Sequence, residues 1–103
     1  MSSRKGSIMD KKDVTKMKRR VKTLQRQLST LGPVMRGSVV IIGTRYKQSY
    51  FSLNRDKKTK LIYLGKKREL QAKEYSDNYK KLLEIVEEMT ILNMELLKQN
   101  ACL

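Results

Sequence analysis

Residues 36–65 read RGSVVIIGTRYKQSYFSLNRDKKTKLIYLG, and the fold turns on the period of that stretch. Apolar and polar residues alternate every second position, and β-branched and aromatic residues dominate, so it predicts strands rather than helix. Three short ones follow, within RGSVVIIG, YKQSYFSL and TKLIYLG. The last two are joined by the polar turn Asn54-Arg55-Asp56-Lys57-Lys58. Alternation sets Phe51 and Leu53 on one face and Tyr50 on the other. If Leu53 lies opposite Lys60, Ile62 and Leu64 join Phe51 in the core, while Tyr50 and Tyr63 pair on the open side. A one-residue slip would reverse the faces of one strand.

On both sides of this sheet the period lengthens. Val14, Met17, Val21, Leu24, Leu28 and Leu31 are spaced 3, 4, 3, 4 and 3 apart, the seam of a heptad helix running from about Lys11 to Leu31, within residues 10–32. Asp10 or Asp13 caps its start, and Gly32-Pro33 ends it. A second helix is predicted over residues 69–100. Its seam is Tyr79, Val86 and Asn93 at a, with Leu82, Met89 and Leu96 at d, and Tyr75 one step before. Leu83, Thr90 and Leu97 at e and Ile85 and Leu92 at g widen this face beyond what one partner covers. The expected fold is therefore α+β: helix, three-stranded antiparallel sheet with a basic hairpin, helix. Two such chains would close a coiled coil or four-helix bundle as a homodimer, with Tyr79, Leu82, Val86, Met89, Asn93 and Leu96 at the contact. Asn93 is the polar member of that seam. It either bonds its counterpart across a parallel two-fold and fixes register, or sits partly exposed near a fraying end.

Charge separates the chain into two parts. Of 103 residues, those up to Arg68 carry 20 Lys and Arg against 3 acids, a net +17, and the rest carry 4 against 7, a net −3. Self-repulsion on this scale opposes compaction unless a polyanion is bound, so nucleic acid is the leading partner. Residues 1–9, polar and aperiodic, read as a disordered basic tail. The single cysteine, Cys102, allows no intrachain disulfide and suits a reduced compartment, and no apolar run is long enough to span a membrane. The expected location is the cytoplasm, associated with a nucleoid.

Catalysis finds little support. The chain holds no histidine, no glycine-rich phosphate loop and no Cys/His metal-ligand spacing. Glu84, Glu87 and Glu88 fall at f, b and c of the second helix, where solvation explains them. No catalytic residue, metal or cofactor is expected.

The basic residues instead interleave with aromatics. Arg45, Lys47, Arg55, Lys57, Lys58, Lys60, Lys66, Lys67 and Arg68 alternate with Tyr46, Tyr50 and Tyr63. A twisted two-stranded ribbon fits the major groove of B-DNA, its rim cations reaching phosphates. Tyr50 and Tyr63 either stack on unpaired bases or pack across the strands against each other. Lys18, Arg19 and Arg20, with Lys12, Lys16, Lys22 and Arg26, give the first helix a second basic surface.

Three pieces, LGPVMRGSVV, SYFSL with KTKLIYLGKKREL, and NYKKLLEIVEEMTILNMELL, resemble an uncharacterised family of short basic proteins from bacteria, archaea and their mobile elements. Many members carry a Cys-rich loop between the first two strands; here that place reads GTRYKQ, so no metal role carries over. Residues 36–81 are also similar to the arm-type DNA-binding domains of tyrosine recombinases, three strands followed by a helix, whose sheet reads the major groove. The second similarity implies an accessory role in recombination or transposition; joined to the charge split, the bundle-forming helix and the lack of a catalytic group, it gives the expectation of a nonenzymatic DNA-binding accessory protein that helps a recombinase, transposase or related nucleoprotein assembly. Two alternatives stay open: an RNA-binding subunit of a ribonucleoprotein complex, and a helical adaptor whose wide apolar face docks on a larger protein.

Overall fold

The computed structural model describes residues 11–100. The expected tail at residues 1–9, the Asp10 cap and Cys102 lie outside them. In chain order the elements are α1 (Lys11–Ser29), β1 (Ser38–Ile42), β2 (Gln48–Arg55), β3 (Lys58–Tyr63) and α2 (Gly65–Lys98). The protein is thus α+β, with a three-stranded antiparallel sheet ordered β1-β2-β3 between two helices in the chain. The chain divides into two compact units, one of residues 32–81 and one combining the segments up to Leu31 and from Leu82 onward. The helix α2 contributes its first half to one and its second half to the other.

In the first unit, residues 33–37 are strapped to α2. The Met35 amide donates to the Tyr75 carbonyl at 3.1 Å, the Asn78 amide to the Pro33 carbonyl at 2.9 Å, and the Ser76 hydroxyl to the Gly37 carbonyl at 2.9 Å. These bonds satisfy backbone groups that an irregular segment otherwise leaves unpaired. Gly37 has no room for a side chain: with φ at 141°, a Cβ there would lie 2.6 Å from the Ser52 carbonyl oxygen and 2.7 Å from the Phe51 ring. The sheet is thereby pressed close to its approach, and Phe51, Leu64 and Ala72 form the core, with Met35 and Val39 packed on it.

The register is Leu53 opposite Lys60 and Tyr50 opposite Tyr63, and the ladder continues where the Leu64 amide donates to the Ser49 carbonyl at 2.9 Å. Leu64 therefore joins Phe51, as expected. Ile62 does not: it faces the same way as Phe51 but is 56% exposed. The cover supplied by Ala72, Met35 and Val39 lies over Phe51, and the outer strand β3 is exposed along its whole length. The expected five-residue turn is also shorter. Arg55 pairs with Lys58, leaving only Asp56 and Lys57 between the strands, both with positive φ of 52° and 63°. That is the mirror-image turn whose twist matches the flanking strands.

In the second unit, Val21 and Leu24 of α1 and Ile85 and Leu96 of α2 are buried. Arg20 ties the helices together, its Nε 2.7 Å and its Nη2 2.9 Å from the two Glu88 carboxylate oxygens. Hydroxyls end α1 two residues before Leu31: Ser29 Oγ and Thr30 Oγ1 both donate to the Arg26 carbonyl. The second helix begins at Gly65, four residues earlier than expected, because Lys66, Lys67 and Arg68 form its first turn. That turn contains no acid, so three cations sit at the positive end of the helix dipole.

The seam of α2 is rotated from its expected position. Leu96, expected between two copies, is 1% exposed within one chain, and Ile85, read as a flanking residue, is buried on the same face three turns earlier; Val86, expected at the centre, is 47% exposed. Leu82, Met89 and Asn93 are half-buried, as is Tyr79 in the other unit. Apolar residues span so much of α2 that periodicity alone does not say which part the chain covers itself.

Candidate nucleic-acid interface

The register sorts the basic residues into separate groups. Arg55, Lys58 and Lys60 share the sheet face of Leu53 at the distal end of the hairpin, with Lys57 in the turn between them. Arg36 joins them, its Nη1 donating to the Asn54 carbonyl at 2.9 Å. This fifth cation escaped the sequence reading, although a basic residue just before β1 must lie at the hairpin end once β1 runs antiparallel to β2. Arg55 and Lys58 stand directly opposite each other, a like-charge pair that destabilises a ladder. Asp56 is the one acid between Arg36 and Arg68. Its carboxylate lies 3.8 Å from Arg55 Nε with both side chains well exposed, a weak interaction in water. At the tip, Thr59 Oγ1 donates to Asn54 Oδ1 at 2.7 Å across the strands, which stiffens the base of the turn.

Arg45 and Lys47 lie at the opposite end of β2, about 23 Å away along an eight-residue strand. Lys66 and Lys67, in the first turn of α2, follow β3 at that same end of the sheet, and Tyr46, between Arg45 and Lys47, is exposed. Arg68 is not free. Its Nε donates to the Leu64 carbonyl at 2.8 Å and its Nη2 to the Tyr63 carbonyl at 2.9 Å, so the guanidinium fastens the junction of β3 and α2. Ser49 likewise donates its hydroxyl to the Glu69 carboxylate, joining β2 to the first turns of α2.

The tyrosines are on the other side. Tyr50 and Tyr63 meet edge to face, their ring centroids 5.7 Å apart at an interplanar angle of 70°. They pack cross-strand on the face opposite Phe51, Lys58 and Lys60. No strand position on that face is charged. The interleaving of lysine and tyrosine in the sequence therefore becomes a separation by face in the fold.

On α1, Lys18 is half-buried and Arg19 exposed. Arg20 is engaged by Glu88. The hydrogen bonds raise the Arg20 pKa and hold the Glu88 carboxyl below its usual value, so this pairing favours the fold above the carboxylate range and is lost as pH falls through the lowered Glu88 value. Among the described residues no three His, Cys, Asp or Glu side chains converge as metal ligands, and no helix is long and apolar enough to cross a membrane.

No family model, curated protein or solved structure matches the chain.

Proposed function

We propose that this protein is a nonenzymatic nucleic-acid-binding accessory protein, which holds duplex DNA through the β2–β3 hairpin as a homodimer within a recombination or transposition complex of a mobile element. The observation that carries this reading is the hairpin end itself: five cations, including the directly opposed Arg55 and Lys58, against one weakly paired acid. Phosphate oxygens relieve such a repulsion, and a two-stranded ribbon with a tight turn enters a major groove. The order of three strands followed by a helix supports the mobile-element assignment, since it is that of the arm-type domains the sequence resembles.

Lys57 adds a second argument. A lysine at φ 63° occupies a conformation that glycine or asparagine adopts at lower cost. Lys57→Gly is therefore expected to raise the stability of the hairpin by about 1 kcal/mol while weakening DNA binding. Thermal melts and fluorescence anisotropy on the same preparation measure both. A variant that binds as well as the parent would remove the functional reason for the lysine.

The proposal is tested by titrating binding to duplex DNA, single strands and structured RNA against salt. Affinity for the duplex should fall steeply as salt rises; an affinity that barely changes would refute phosphate contact. A second reading, an RNA-binding subunit, draws on the open tyrosine face, where Tyr63 is 49% exposed. If unpaired bases stack there, Tyr50→Ala and Tyr63→Ala should each cost about 1–3 kcal/mol of binding. On a duplex held at its phosphates, neither should change affinity by more than a few tenths.

A further inference from the structure

The second half of α2 carries two apolar stripes. One includes the buried residues Ile85 and Leu96. Beside it Leu83, Val86, Thr90, Asn93 and Leu97 follow at intervals of 3, 4, 3 and 4, about 21 Å along the helix. This second stripe is open: Leu83 is 50%, Val86 47% and Leu97 61% exposed. None of its members is charged, in a chain of which 33% is.

We infer that this stripe is the contact between two copies of the chain, α2 against α2, in parallel about a two-fold axis. Three observations select a second copy. The stripe lies on the half of α2, residues 82–98, that carries four acids against one lysine, whereas the cations of the same unit are on α1, so it is not the basic surface of the unit that must approach its copy. The charges of this unit are also complementary between copies. Of eight cations on α1 only Arg20 is ion-paired among the described residues, while Glu84 and Glu87 on α2 have no ion-pair partner there. In a parallel pair, the edge of one stripe bearing Glu87 approaches the α1 side of the other copy. Finally, the Asn93 side chain has no hydrogen-bond partner among the described residues and none of its atoms is buried without one. An amide near a two-fold axis bonds its own counterpart, which fixes register and orientation.

This inference deepens the homodimeric part of the proposed function and is independent of its nucleic-acid part, because association is read with no nucleic acid present. Sedimentation equilibrium of the full chain, stripped of nucleic acid in high salt, should give twice the 12.1 kDa of one chain. Leu83→Lys combined with Leu97→Lys should raise the dissociation constant roughly hundredfold or more with helical circular dichroism unchanged, since both positions are exposed in the single chain. Asn93→Leu should hold together more tightly but as a mixture of assemblies. A monomeric parent chain would overturn the inference, as would a double-lysine variant that remains dimeric. A sharp dimer of ordinary strength from Asn93→Leu would overturn the position of Asn93 at the axis.

Discussion

Replacing Lys57, Lys58 and Lys60 together with glutamine is expected to weaken binding to duplex DNA by roughly two to three orders of magnitude near 0.1 M salt, and to reduce the slope of log affinity against log salt by about 2.7. Each lysine that neutralises a phosphate releases condensed counterions, so three lost contacts change the slope by three increments rather than shifting affinity alone. All three sit in the turn or on β3, which is exposed along its length. Their side chains hold up no core, so the variant should melt as the parent does or slightly higher, since the repulsion between Arg55 and Lys58 is gone. Anisotropy titrations at several salt concentrations, with a thermal melt as control, make the measurement. An unchanged slope would mean that the hairpin does not touch phosphate.

The largest effect on stability is expected from Phe51→Ala. The core of its unit is small, Phe51, Leu64 and Ala72 with Met35 and Val39 against it, and truncating a buried phenylalanine costs about 3–5 kcal/mol. Against a total of about 5–15 kcal/mol for a typical domain, that is enough to unfold the sheet in a substantial fraction of molecules. The Gly37 approach leaves little room for compensating collapse, because the Phe51 ring lies against that backbone. Hydrogen exchange should show protection lost across residues 48–63, and urea titration a midpoint shifted far below that of the parent. A shift worth less than 1 kcal/mol would mean that the sheet is held by something other than this cluster.

Much of this fold is legible in the sequence, and the parts that are not have identifiable causes. The period of two in β2 and β3, with the assumption that Leu53 opposes Lys60, yields the Tyr50–Tyr63 pair and the burial of Phe51 and Leu64. The burial of Val21 and Leu24 follows from the heptad in α1. Ile62 departs from the expected burial because alternation tells which side of a sheet a residue faces, not how far the cover on that side extends. The start of α2 at Gly65 was hidden because three successive cations with no acid look like a loop, not a first turn. Arg20 and Arg68 looked like two more phosphate ligands. Their partners, the Glu88 carboxylate and the Tyr63 and Leu64 carbonyls, are set by tertiary contact or by the local path of the chain. Arg36 is not legible for the opposite reason, since only strand topology brings it beside Asn54.

The surface proposed to meet nucleic acid is the hairpin end carrying Arg36, Arg55, Lys57, Lys58 and Lys60. Amide chemical shifts of isotopically labelled protein, followed as a short DNA duplex is added, report on that surface residue by residue. The largest changes are expected at residues 54–60 and at Arg36, diminishing toward the Tyr50–Tyr63 face and fading as salt is raised. Changes confined to α1 or to the tyrosine face, with residues 54–60 unmoved, would contradict the proposed surface.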